Sequence, residues 1–132
     1  MSADAGPMAT AEMVELITNY AQGPKAADLV VLDLSGASAF TDAFVIATGR
    51  SDRQVKAIHD AIHQGMKNEH AMLPNHVEGL AEANWVLLDY GDVVVHVFTP
   101  ATREYYRLET LWGEVPRREV SSGAQEPDGA PE

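Results

Sequence analysis

Cysteine does not occur in this sequence. No disulfide can staple the fold and no thiolate can hold zinc, so a packed core must supply the stability, as suits a cytoplasmic protein. Cations are scarce too: nine Lys and Arg oppose 20 Asp and Glu, for a formal net charge of −11. After Glu114, Arg117 and Arg118 stand against Glu119, Glu126, Asp128 and Glu132, a net of −2, so the remainder keeps about −9. Nucleic-acid affinity comes largely from Lys and Arg displacing counterions. Direct DNA binding is therefore not expected, and a basic protein steered in by the acidic surface is the favoured partner. Long apolar runs are missing as well, each being short and broken by Asp, so no membrane span is expected. The start, "MSADAGPMATAEM", has neither the basic opening of a signal peptide nor the Arg of a transit peptide. No internal repeat is visible, and 132 residues suit one domain with a real core.

What is present is concentrated in "WVLLDYGDVVVHVF", residues 85–98, where the β-branched density is interrupted by a Trp, a His and two Asp. The pattern predicts a hairpin turning on Tyr90 and Gly91. That register sets Asp89 opposite Asp92, Leu87 opposite Val94 and Trp85 opposite His96, with Val86 paired to Val95 and Leu88 to Val93. One face, Val86, Leu88, Val93, Val95 and Val97, is wholly aliphatic and should be core, each burial contributing roughly 1.5–3 kcal/mol. The other carries Trp85, Leu87, Asp89, Asp92, Val94, His96 and Phe98. Facing carboxylates destabilise a sheet, so that end is expected to be solvated or to bind something. Helices covering this second face as well, with Trp85 a core residue, stay open as an alternative.

Along the rest of the chain, residues 8–22 place Met13, Leu16, Ile17 and Tyr20 at helical spacing, and Gly23-Pro24 ends the run. "ADLVVLDLSG" and "AFVIATG" read as two strands joined by a short antiparallel return. "SDRQ" is a capping box, starting a second helix at Asp52 with a core stripe of Val55, Ile58, Ile62 and Met66 that stops before Pro74. The crossover back to the hairpin predicts a parallel strand pair. Thr99-Pro100 opens a third helix through "ATREYYRLETLW", with Tyr105, Leu108 and Trp112 on one stripe. The division expected is a flexible segment 1–7, a domain 8–113 and a disordered acidic tail 114–132. The fold class is α/β or α+β: a small mixed β-sheet of about four strands with three flanking helices.

Two chemistries suggest themselves. "HDAIH" sets His59 and His63 on one helix face, with His70 two turns on, like a zincin with Asp for Glu. Asp is too short for the general base and no third ligand follows at the required spacing, so a solvated helix face is the better reading and no metal is expected. "TGRSDR" places Gly and Ser between strand and helix as nucleotidyltransferases do, and Asp89 with Asp92 could replace their paired carboxylates. No cationic loop for a triphosphate and no P-loop accompany them. No Ser-His-Asp set can be assembled either.

The runs "LDLSGASAFTDAFVIATGRSDRQVKAI", "VEG", "ANWVLLDYGDVVVHVF" and "REYYRLETLW", in that order, closely resemble the ribosomal silencing factor, or Iojap, family of bacteria and organelles. The resemblance implies a fold similar to nucleotidyltransferases without their catalytic residues. It also implies a non-enzymatic, cofactor-free factor that binds the fourteenth protein of the large ribosomal subunit, uL14. Bound there, such a factor blocks joining of the small subunit and represses translation in starvation; homodimers are implied as well. By matching position, Trp85 is the interface Trp. Asp89, Tyr90, Gly91, Asp92 and His96 belong to the same hairpin, Glu78 and Gly79 to the pair before it, and Arg103 with Tyr106 to the start of the last helix. Gly79 and Gly91 read as backbone devices, and Tyr106, Leu108 and Trp112 as support. A metal-dependent nucleotidyltransferase using Asp89 and Asp92 is the alternative.

Overall fold

In the computed structural model, residues 8–120 are described. The expectations for 1–7 and 121–132 lie outside them. Chain order is α1 (Thr10–Gln22), β1 (Ala27–Asp33), β2 (Ala43–Thr48), α2 (Asp52–His70), β3 (His76–Glu78), β4 (Trp85–Asp89), β5 (Val93–Phe98), α3 (Pro100–Tyr106), α4 (Leu108–Leu111) and β6 (Arg117–Glu119). The strands form one mixed sheet in the order β3-β4-β5-β2-β1-β6. β2 and β5 are parallel, as the crossover predicts, and every other neighbouring pair is antiparallel.

The apolar stripes decide the layering. Val55, Ile58, Ile62 and Met66 of α2 and Met13 and Ile17 of α1 are buried against Val86, Leu88, Val93, Val95 and Val97. Strand β1 is apolar on both sides: Leu29 and Val31 join this core, whereas Val30 and Leu32 join a second one with Leu34, Ile46 and Phe98 on the opposite face. The α2 cap forms at Ser51, whose Oγ accepts from Gln54 N at 3.2 Å. Gln54 Oε1 reaches back one residue further than a capping box does and accepts from Arg50 N.

Four expectations need correction. First, the hairpin register is displaced: Trp85 pairs with Phe98, Leu87 with His96 and Asp89 with Val94, and Tyr90 N donates to Val93 O at 2.9 Å. The loop is therefore Gly91-Asp92. A turn on Tyr90-Gly91 would require positive φ at Tyr90 in either favoured hairpin turn, whereas moving Gly91, at φ +91, to the first central position confines that demand to glycine. The displacement preserves parity, so the aliphatic face survives unchanged. Second, there are six strands, because the segment after Glu114 pairs along β1 from Asp33 N–Pro116 O to Val120 N–Leu29 O. The exposed residues of β6 carry no hydrophobic signal, since it is held by backbone hydrogen bonds that complete the edge of β1. Third, the last helix is two: Arg107 takes φ +49 and its N–H caps α3 through Arg103 O. Fourth, that break removes Tyr105 from the stripe, leaving it 80% exposed while Leu108 and Trp112 pack on the second core.

Candidate protein interface

Helices α1 and α2 cover one face of the sheet. Opposite them, α3 and α4 cover only part. Direct cross-strand partners share a face, so Trp85, Leu87 and Asp89 of β4 lie with His96 and Phe98 of β5, His76 and Glu78 of β3, and Phe44 of β2. Phe98 and His96 are buried, while Trp85, Leu87, Asp89, Val94 and Phe44 keep part of their surface in solvent. Beside them stands Tyr106, 45% exposed and packed on Trp85. An apolar stripe rimmed by carboxylates is the result.

Trp85 is oriented by aromatic neighbours on three sides. Its ring centroid lies 4.5 Å from Tyr106, 5.1 Å from Phe98 and 6.0 Å from His96. Its indole Nε1 donates to His96 Nδ1 at 3.1 Å. An indole can only donate, so Nδ1 accepts and the ring proton of the neutral imidazole sits on Nε2, which is buried without a partner among the described residues. Phe44 packs edge-on at 4.5 Å. Burial in this apolar nest pushes the His96 pKa down to about 4. His96 thus lies beneath Trp85 as a neutral support. Gly79 braces the same strand: at φ +84, a Cβ there would meet Trp85 O at 2.0 Å.

The other residues implied by the resemblance are placed as follows. Asp89 is half-buried and its Oδ1 accepts from Gly91 N at 2.8 Å. Asp92 is exposed in the turn, and its carbonyl accepts from Asp42 N, Ala43 N and the Thr41 hydroxyl, fastening the hairpin to the loop before β2. Glu78 is exposed, with its carboxylate against the His76 ring. Tyr90 is on the opposite face, buried in the α1–α2 core with its hydroxyl unpartnered among the described residues, and burial raises its pKa to about 12. Arg103 is an internal clamp: Nη1 donates to Asp28 O and Thr48 Oγ1, both at 2.7 Å, and Nη2 and Nε to Glu109 Oε2 at 2.6 and 3.2 Å. Burial works to raise the Glu109 carboxyl, but Arg103 outweighs it and holds the pKa below the usual range. Sequence reasoning missed Phe44 as a member of this face; the alternation Phe44, Ile46, Thr48 in β2 carried that signal.

The directly facing Asp89–Asp92 pair expected of the hairpin is not formed, because Asp89 faces Val94 and Asp92 belongs to the turn. Gly49 of "TGRSDR" serves close packing, since a Cβ there would lie 2.7 Å from Val55 N. The helix face carrying "HDAIH" is not solvated as expected: His59 is buried and bonds Asp60, and His70 packs near Tyr20; among the described residues no group of three His, Asp or Glu is arranged for a metal.

Residues 7–132 match the family described as ribosomal silencing factor during starvation. The ribosomal silencing factor RsfS of Halalkalibacterium halodurans is 40% identical over 113 residues, covering 86% of this chain and 96% of the relative. A mouse protein named for mitochondrial assembly of the ribosomal large subunit is 30% identical over 101 residues, 75% of this chain and 44% of its own length. The crystal structure of a Chromobacterium violaceum protein is similar at a TM-score of 0.77 and 35% identity, covering 87% of this chain and 96% of that one.

Proposed function

The chain belongs to the ribosomal silencing factor family, and from that premise we propose that it binds the large ribosomal subunit in the cytoplasm through uL14. Seated there, it sterically blocks joining of the small subunit and so represses translation in starvation. The observation that carries this reading is the partly exposed Trp85, locked by His96, Phe98 and Tyr106 at the edge of an apolar stripe that carboxylates border. Interfaces are anchored by aromatic residues whose conformation is fixed before binding, with charged groups at the rim. Trp85 is the anchor, and Asp89, Asp92 and Glu78 meet Lys or Arg of a basic ribosomal protein. His96 and Arg103 act indirectly, the first by holding the indole and the second by holding α3 and Tyr106 over it. Tyr90 secures the hairpin from the core side.

No step of this action is chemical; the factor works by occupying space. The same stripe would be covered in a homodimer, so self-association should compete with ribosome binding. The test is isothermal titration of purified uL14 with the wild type and with Trp85→Glu. Truncating a hot-spot aromatic anchor costs about 2–4 kcal/mol, so the variant should bind at least thirtyfold more weakly. Equal affinities with an intact fold would remove Trp85 from the contact. A nucleotidyltransferase would instead show Mg²⁺-dependent nucleotide turnover lost in Asp92→Asn.

A further inference from the structure

Four of the nine Lys and Arg are held in ion pairs: Arg103 with Glu109, Arg107 with Glu104, Arg117 with Glu119 and Arg118 with Glu15. The other five form none among the described residues and are exposed: Lys67 in the last turn of α2 and, apart from it, Lys25, Arg50, Arg53 and Lys56. These last four are also gathered. Gln54 Oε1 accepts from Arg50 N at 2.6 Å, while Gln54 Nε2 donates to the carbonyls of Pro24 and Lys25 at 3.0 and 3.2 Å. One side chain thereby draws the turn after α1 onto the start of α2. Arg53 and Lys56 follow three residues apart, as neighbours on the helix surface.

This cluster lies at the opposite end of the sheet from the acidic hairpin. Asp42 enters β2 bonded to the Asp92 carbonyl, and Gly49-Arg50 leaves β2 after six residues, a separation of roughly 20 Å. Charges beyond about 8–10 Å are largely screened at physiological salt. The local sign at this end is therefore set by the four cations against Asp28, Asp52 and Asp60, the last one turn after Lys56 on α2, Glu104 being taken up by Arg107, and the chain's net −11 does not govern it.

We propose that Lys25, Arg50, Arg53 and Lys56 form a docking surface for the phosphate backbone of RNA. The protein is then bipolar on the ribosome, its acidic hairpin end on a basic protein and this end on ribosomal RNA. The inference rests on the reading that the chain sits on the large subunit. Arginine suits it, since its planar fork grips phosphate oxygens through paired N–H bonds.

Two measurements separate this from the function itself. The first is fluorescence anisotropy of a short labelled RNA hairpin with the full chain, beside a variant carrying Arg50→Glu, Arg53→Glu and Lys56→Glu. The neutral pair Arg53→Gln with Lys56→Gln is the milder control should the triple variant fold poorly. The second is pelleting with isolated large subunits at rising KCl. Losing three phosphate contacts lowers the salt slope by about 2–3, so between about 50 and 200 mM KCl the wild type should lose about 16- to 64-fold more affinity than the triple variant. Equal salt slopes, or wild-type binding to anionic phospholipid vesicles and not to the hairpin, would overturn the proposal. If the wild type fails to pellet with large subunits, the functional reading fails, while the hairpin titration still decides for or against an RNA surface.

Discussion

Acidification tests whether His96 is truly a neutral support beneath Trp85. The imidazole is buried, accepts from the indole and has its pKa lowered from 6.5 to about 4 by loss of water. The folded chain therefore resists the proton that the unfolded chain accepts. Above about pH 6.5 both states are neutral and the stability is fully present; as pH falls towards about 4 only the unfolded state is protonated, and stability is lost. The slope is about 1.4 kcal/mol per pH unit and the total about 3 kcal/mol. Urea unfolding followed by circular dichroism at about pH 7, 6 and 5 would measure it, wild type beside His96→Gln. Glutamine can still accept from Trp85 Nε1 but does not titrate, and every other histidine cancels in the difference. The variant should be less stable at pH 7 yet flatter by about 1.4 kcal/mol per unit between pH 6 and 5. Parallel curves would refute the argument that His96 is held neutral.

Three further outcomes can be checked by the same unfolding assay. Arg103→Ala leaves the largely buried Glu109 carboxylate unpaired and frees α3 from β1 and β2, so it should cost about 2–4 kcal/mol and weaken ribosome binding, while a change under 0.5 kcal/mol would deny the clamp. Gly79→Ala places a Cβ against Trp85 O at a positive φ; a loss of about 2 kcal/mol or more is expected, and a neutral result would mean that β3 and β4 are not so closely braced. Tyr90→Phe deletes a buried hydroxyl that bonds to nothing among the described residues, so stability should hold or rise by about 1 kcal/mol; a clear loss would reveal a partner for that hydroxyl.

The parts of the fold that were legible in the sequence are those written in side-chain period. Val86, Leu88, Val93, Val95 and Val97 alternate because one face is core, and the α2 stripe recurs at helical spacing because one side of that helix is buried. What escaped was set by backbone. Strand β6 is exposed at every residue and has no period to read, and the hairpin register turned on which loop residue tolerates positive φ. The site divided the same way. Trp85 and the carboxylates stood out by type, but the sequence could not tell that Arg103 is consumed internally by Asp28, Thr48 and Glu109, or that His96 bonds Trp85 across the sheet. Those contacts join residues far apart in the chain.

The most direct test of the central claim is co-sedimentation of the purified protein with isolated large and small ribosomal subunits, wild type beside Trp85→Glu. The account predicts that the wild type pellets with the large subunit alone and that the variant, still folded, stays in the supernatant. Wild type that binds neither subunit, or a folded variant that pellets as well as the wild type, would contradict it.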